Sequence, residues 1–417
     1  MHKAKSFDIP KRLVWEAYRC IKANKGAAGV DGQSLEAFDI DLQSNLYKLW
    51  NRMSSGSYMP PPVRRVSIPK KGGGTRPLGI PTVADRIGQM VVKLVLEPTW
   101  DRAFHPDSYG YRPGKSAHQA LAKVRERCWR NDWVIDLDIK GYFDAIDHEL
   151  LMRAVKRHTQ ERWILLYIER WLQADALLED GRVERRTQGT PQGGVISPLL
   201  ANLFLHYVFD KWMDRHYPHV PFARYADDII CHCRTRSQAE RLLKELKERF
   251  VACHLELHPQ KTKLVYCKDE RRRNEFPETS FEFLGYTFRA RPARNRKGEL
   301  FVGFNPAVSK KALKSMNDKV RSWRLTARTR ENLHELAAAI NPVVRGWVQY
   351  YGRYNRAEMF NLLVRLDLRL SRWARHKYRR LRGHKRRSWN WLTRIRRSCP
   401  GLFVHWQVLY TGYRTAG

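Results

Sequence analysis

Two short acidic segments, each set inside an apolar run, constrain this chain of 417 residues more than any other feature. The first is Tyr225-Ala226-Asp227-Asp228. It lies within residues 222–233, which read as a β-hairpin with Ala226, Asp227 and Asp228 at the tip. Adjacent carboxylates repel each other and resist desolvation. A bound cation relieves both problems, although an ordinary solvated β-turn also tolerates Asp. The second segment is Asp136-Leu137-Asp138-Ile139-Lys140. Strand period places Asp136 and Asp138 on one face. That face is either the solvent side of an edge strand or, given Val134, Ile135, Leu137 and Ile139, part of a buried strand bordering a site. Three carboxylates from two adjacent strands would make a site for a pair of Mg²⁺ ions. Such pairs sit about 3.5–4 Å apart and clamp the entering and leaving oxygens of a phosphoryl transfer. Hard oxygen ligands favour Mg²⁺ over zinc.

Charge narrows the partner. Lys and Arg number 78 against 42 Asp and Glu, a formal net charge of +36. A folded chain this basic repels itself unless it meets a polyanion, and nucleic acid is the first expectation. No run of eighteen apolar residues exists, so no membrane span is expected. Residues 1–10 have no apolar core of a secretory signal. The seven cysteines are scattered and odd in number, which predicts free thiols in a reducing, cytoplasmic setting. Cys231-His232-Cys233 is too tightly spaced for a tetrahedral zinc site.

The rest of the chain gives a coarse layout. Helices are predicted over 10–24, 35–53, 82–97 (ended by Pro98), 116–129, within 148–173, and over 197–212 and 237–253. Residues 25–32 and 187–194 are glycine-bearing loops. Residues 63–68 and 76–80 read as strands joined by the turn Lys70-Lys71-Gly72-Gly73-Gly74-Thr75. Strands are also read over 133–139 and near 183–187, 264–266 and 283–288. Residues 270–300 are rich in Arg, Asn, Pro and Gly and suggest a linker or mobile loop. Beyond them the pattern is helical over 309–324, 330–351 and 357–381. Residues 365–397 hold 14 Lys or Arg and one acid, Asp367. That is a polyanion-binding face by charge alone.

These blocks resemble the reverse transcriptase–maturases encoded by bacterial group II introns, in the form that lacks a His-Asn-His endonuclease. The resemblance runs from Lys22 to about Tyr354. It rests on residues 25–32, Arg64-Arg65-Val66 through Ile80-Pro81-Thr82, Tyr109-Gly110-Tyr111-Arg112-Pro113, residues 136–147, 188–199 and 224–228, and Phe283-Leu284-Gly285-Tyr286. Arg345-Gly346-Trp347-Val348-Gln349-Tyr350-Tyr351 resembles the family's thumb.

The resemblance implies an α+β, right-hand polymerase: fingers and a palm with an antiparallel sheet, then an α-helical thumb or maturase domain. The expected divisions are 1–100 for the N-terminal extension and fingers, 101–290 for the palm with remaining fingers elements, 291–385 for the thumb, and 386–417 for a short basic segment. It implies Asp138, Asp227 and Asp228 as ligands of two Mg²⁺ ions. Asp138 is chosen over Asp136 because the family's ligand stands five residues before an aromatic under the incoming sugar, here Phe143. A ring there would exclude a 2′-OH. Lys70 and Arg76 are implied over the triphosphate and Gln192 beside the sugar, while Lys261 would protonate leaving pyrophosphate. The alternative for Phe143 is core packing, and Lys70 and Arg76 taken alone read as an exposed basic turn. Trp347 and Trp373 are expected in the core. Arg379, Arg380, Arg386 and Arg387 are expected to grip RNA. The implied partners are group II intron RNA, an RNA template with a DNA primer, target DNA and dNTPs, without membrane. Only Cys399 lies near the end, so no endonuclease is expected; a primer for mobility would come from elsewhere, such as a replication fork. The competing expectations are an RNA-binding splicing factor without polymerisation, and a domesticated reverse transcriptase in defence or repair.

Overall fold

The computed structural model describes residues 6–69, 74–294 and 297–410. The chain divides into two compact units, Met1–Val265 and Tyr266–Gly417.

The first unit opens with three helices, α1 (Lys11–Asn24), α2 (Leu35–Ile40) and α3 (Leu42–Ser54). The single helix expected over 35–53 is broken at Asp41, whose backbone leaves helical geometry. Strands β1 (Val63–Pro69) and β2 (Thr75–Ile80) form the expected antiparallel hairpin. Helix α4 (Val83–Ala103) begins where the Thr82 hydroxyl accepts from the Asp85 amide. It runs through Pro98 rather than stopping there. Pro removes one donor and disturbs one turn, and Trp100, fully buried, anchors the turn beyond it. Then come α5 (Ala117–Cys128), started by a Ser116/Gln119 capping box, and β3 (Trp133–Leu137). Next are α6 (Tyr142–Ala145), α7 (His148–His158), α8 (Arg162–Gln173) and the short strands β4 (Ala176–Leu177) and β5 (Val183–Glu184). The apolar helix expected over 197–212 is α9 (Ser197–Leu205), a π turn at His206–Asp210, and α10 (Lys211–His216). The unit closes with β6 (Phe222–Tyr225), β7 (Asp228–Cys233), α11 (Arg236–Ala252) and β8 (Lys263–Tyr266), the last strand reaching the division.

Two sheets organise this unit. One has the order β2-β1-β4-β5, with β1 and β4 parallel and the other pairs antiparallel. The other has the order β6-β7-β3-β8. Its central strands are apolar on both faces: Val134, Ile135, Ile229 and Ile230 are all fully buried. The 133–139 segment is therefore an interior strand. All seven cysteines are free.

In the second unit the segment 270–300 is not a linker. It carries β9 (Ser280–Phe283) and β10 (Tyr286–Arg294), which pair antiparallel with each other; β10 also pairs with β11 (Leu300–Val308). Phe281 stacks on Phe288 at 4.7 Å, with Phe304 beside them. Strand-period aromatics thus outweigh a composition rich in Arg and Pro. Helices α12 (Lys310–Ser322), α13 (Leu333–Tyr351), α14 (Phe360–Lys377), α15 (Lys385–Ser398) and α16 (Val404–Tyr410) enclose a second core around Leu336, Ile340, Leu370, Trp373 and Trp406. Trp347 is half-buried and stacks on Trp323 at 5.8 Å.

Asp367, fully buried on α14, ties this bundle together. It accepts from His405 (2.7 Å), Trp406 (2.6 Å) and Tyr410 (2.9 Å) on α16, with the Arg396 guanidinium at 3.4 Å. Among the described residues no helix is long and apolar enough to cross a membrane. The molecule is thus an α+β chain with antiparallel pairing and a largely helical C-terminal region.

Candidate active site

The β6–β7 hairpin turns tightly, with Tyr225 paired directly to Asp228. Only Ala226 and Asp227 lie between them, and Ala226 takes a left-handed φ of 56°. Gly110 packs on this turn; a Cβ there would run into the Ala226 amide nitrogen. The segment 107–109 runs beside β6, with Tyr109 N donating to Arg224 O (2.8 Å) and Arg224 N to Asp107 O (2.9 Å).

Beneath the turn lies Arg224, a fully buried guanidinium. Its Nε and Nη2 grip the two oxygens of Asp210 at 2.8 and 2.6 Å. Its Nη1 donates to Asn202 Oδ1 (3.0 Å) and to the Ala226 carbonyl (3.1 Å). Asn202 in turn donates to the Gly110 carbonyl at 2.7 Å. Asp210 is wholly buried, which pushes its carboxyl up, yet Arg224 and His206 outweigh that and hold it low.

The turn and β3 bring acids together. Asp138 follows the end of β3, which is the strand paired with β7. Its backbone is fastened to residues 258–262: His258 N donates to Asp138 O at 2.7 Å. Asp227 has its carboxyl pushed up, by desolvation first and then by the charge of Asp138, against the pull of Arg76 and Arg224. Asp228 opens to solvent on one side and is enclosed by protein on the others. Desolvation, then the charges of Asp227 and Asp138, push its carboxyl up to about 7. Lys261 Nζ lies 3.2 Å from Asp138 Oδ2. Among the described residues no three acid, histidine or cysteine side chains form a ready-made metal cage. The donor set nevertheless fits a hard divalent cation. It is all oxygen, and mutual repulsion and desolvation leave it short of positive charge.

A second group forms around residues 188–194. Gly189 N donates to Ile146 O and Thr190 N to Phe143 O, each at 2.7 Å. A Cβ at Gly189 would lie 2.8 Å from the Asp144 backbone, so glycine permits this approach. Gln192 is held from both sides: Arg76 Nε donates to its Oε1 (2.5 Å), and its Nε2 donates to Asp144 Oδ2 (3.1 Å). Gly79 N on β2 donates to Gln192 O at 2.7 Å. A cavity of about 280 Å³ adjoins Gln192 and Asp144, and Arg65, Arg185 and Arg186 line it. The Tyr111 hydroxyl is pushed up by desolvation and then by Asp227, while Arg76 pulls it down.

The fold thus brings Asp138, Asp227, Asp228 and Lys261 together, and Arg76 with Gln192. Phe143 is buried, with its ring 5.5 Å from that of Tyr142. Lys70 lies outside the described residues. Arg379 and Arg380 sit on a short 3₁₀ turn and Arg386 and Arg387 on α15. All four are exposed, and none makes an ion pair among the described residues. Sequence reasoning missed Asn202, Asp210, Arg224 as a support, Tyr111 and Asp144. The one available signal was an acid, Asp210, at the end of an otherwise apolar run.

Two family models match the chain. Residues 68–288 match the family model described as "Reverse transcriptase (RNA-dependent DNA polymerase)". Residues 313–389 match "Group II intron, maturase-specific domain". The chain is 34% identical over 326 residues to Protein YkfC of Escherichia coli, covering 69% of this chain and 82% of that protein. It is 35% identical over 204 residues to the group II intron-encoded protein LtrA of Lactococcus lactis, covering 48% of this chain but 33% of LtrA. A putative COX1/OXI3 intron 1 protein of Saccharomyces cerevisiae is 33% identical over 198 residues, 48% of this chain and 24% of that protein.

Proposed function

The chain belongs to the group II intron reverse transcriptase–maturase family, and on that premise we propose that it copies RNA into DNA and also binds its intron RNA to help it splice and move. The observation that supports the polymerase half is the β3–β7 register: Leu137 pairs with Ile229, so Asp138 comes next to Asp228 at the end of the paired strands, with Asp227 in the adjoining turn. In this reading residues 1–100 are the N-terminal extension and fingers, 101–290 the palm with further fingers elements, 291–385 the thumb or maturase domain, and 386–417 a short basic segment, a remnant DNA-binding region.

The reaction joins a primer 3′-hydroxyl to the α-phosphorus of a dNTP; the bond to the bridging oxygen breaks and pyrophosphate leaves. Asp138, Asp227 and Asp228 would hold two Mg²⁺ ions, which when bound supply Lewis acidity to the attacking and departing oxygens. Arg76 and Lys70 would face the triphosphate. Gln192, braced by Arg76 and Asp144, would line the sugar. Phe143 would close the space a 2′-OH needs. Lys261, beside Asp138, would pass a proton to pyrophosphate. The exposed Arg379, Arg380, Arg386 and Arg387 would pair with RNA phosphates. The template–primer duplex and target DNA are further partners of the same basic chain.

The test is cDNA synthesis on a primed RNA template beside splicing of the flanking intron RNA at low Mg²⁺. Asp227→Ala is expected to abolish synthesis and retain most of the splicing help. A wild-type protein that aids splicing but never extends a primer would leave only the RNA-binding role.

A further inference from the structure

Gln192 is held through its side chain by Arg76 and Asp144 and through its carbonyl by the Gly79 amide, and the segment behind it has an anchor of its own. Residues 193–196 lead into α9, and the amides of Val195 and Ile196 lie before its first full turn, where the helix offers no acceptor. Both amides donate to one atom, Gln89 Oε1, at 2.8 and 3.3 Å. Gln89 projects from α4 and is 3% exposed. A Cβ on Gly194 would come within 3.3 Å of the same Oε1, so the loop lies closely against it.

An amide side chain presents an oxygen in this direction only if its NH₂ is satisfied in the other. Asp85 does that. Its Oδ2 accepts from Gln89 Nε2 at 2.9 Å. Its Oδ1 accepts from Trp171 Nε1 (2.7 Å) and the Tyr58 hydroxyl (3.0 Å), which leave Asp85 no freedom to turn. Asp85 is 1% exposed. The polarity therefore runs one way, from the Val195 and Ile196 amides to Gln89, and from Gln89 to Asp85.

We propose that Gln89, oriented by Asp85, is a positioning residue that sets the Gln192 loop for the incoming nucleotide. The inference rests on the nucleotide-site reading above and adds to it a relay that touches neither substrate nor metal.

The relay predicts a compensating pair. In Asp85→Asn the remaining oxygen is claimed by the Trp171 N–H, which can only donate, so the new NH₂ turns toward the Gln89 NH₂. Flipping Gln89 only moves the clash to the Val195 and Ile196 amides. Adding Gln89→Glu restores the pattern. The new amide at position 85 then donates to the new carboxylate at position 89, and the second carboxylate oxygen still faces the loop. Steady-state extension on one primed RNA template, with dNTP concentration varied, reads the outcome. Asp85→Asn is expected to raise KM for dNTP about 10-fold or more with primer–template Kd within about 2-fold, and the double variant to return KM to within about 3-fold of wild type. A general loss of structure would instead move Kd and kcat together. Unchanged KM in a folded Asp85→Asn, or a folded double variant whose KM stays about 10-fold high, overturns the relay. If Asp85→Asn does not fold, the double variant alone decides by the same criterion. A wild-type protein that extends no primer would sink the polymerase reading itself, a failure distinct from either of these.

Discussion

The Arg224–Asp210 pair should matter in two separable ways. Both side chains are fully buried, and the guanidinium makes two bonds to the carboxylate. Arg224→Met strands the Asp210 charge in the interior, a loss of about 3–5 kcal/mol. Removing the second charge as well, in Arg224→Met/Asp210→Leu, should recover roughly 3 kcal/mol, because well-packed apolar pairs replace buried ion pairs with little penalty. Activity should not follow. Arg224 also donates to the Ala226 carbonyl and to Asn202, and neither bond returns in the double variant. A bond from a charged donor contributes about 1.5–3 kcal/mol, so extension should stay roughly 10- to 100-fold low. Urea unfolding gives the stabilities and primer extension the rates. A stable double variant with wild-type extension would refute the idea that Arg224 holds the catalytic turn. A single variant with unchanged stability would refute the buried pair as its foundation.

Phe143→Ala should let ribonucleotides into the product, read as rNTP incorporation relative to dNTP on one template; continued rejection would remove Phe143 as the gate. Asp228, raised to about 7, must lose its proton to bind a cation, so the half-saturating Mg²⁺ concentration for extension should fall about 5-fold between pH 6 and pH 7. Without metal the sign reverses for stability. The folded state holds this proton well above the usual carboxylate value of 3.8 and the unfolded chain does not, so stability declines as pH rises toward 7. A Mg²⁺ requirement flat from pH 6 to 8 would contradict the shift. Asp367→Ala should leave buried donors on His405 and Trp406 unpaired and destabilise the C-terminal bundle by about 2–4 kcal/mol, seen as a lowered melting transition of the full chain.

The acidic turn was legible because paired carboxylates in a strand-like run are chemically conspicuous. Asp227 and Asp228 stand together in the chain, and Asp138 shares a strand pattern with apolar neighbours. Their support was not legible. Asn202, Asp210 and Arg224 come from three places, and nothing local marks them as partners. Asp210 falls in a segment whose apolar period reads as one straight helix, and the π turn that surrounds it has no sequence signature. The segment 270–300 misled for the opposite reason. Its Arg, Pro and Gly residues suggest a linker around the one strand read near 283–288, while aromatics at period two extend the pairing across β9, β10 and β11. Helix ends showed the same limit: Pro98 breaks a local bond, but the burial of Trp100 beyond it outweighs that loss.

Depth, rather than number, explains how so basic a chain uses its acids. Residues 365–397 carry a single acid, and on the surface it would offset the field of the nearest arginines. Instead Asp367 is wholly buried and its charge is taken up by Arg396 and three hydrogen-bond donors. The exposed guanidinium groups of Arg379, Arg380, Arg386 and Arg387 are thereby left without a local counter-charge among the described residues. In the first unit Asp210 neutralises Arg224 inside, while Asp227 and Asp228 stay near the surface and make no ion pair among the described residues, although Arg76 and Arg224 act on Asp227 from a distance. Asp210 and Asp367 are matched inside, whereas of the site's acids Asp138 alone has an ion-pair partner among the described residues, Lys261. A divalent cation would therefore find unsatisfied negative charge at the β6–β7 turn and repulsion across the basic helices, and a polyanion the reverse.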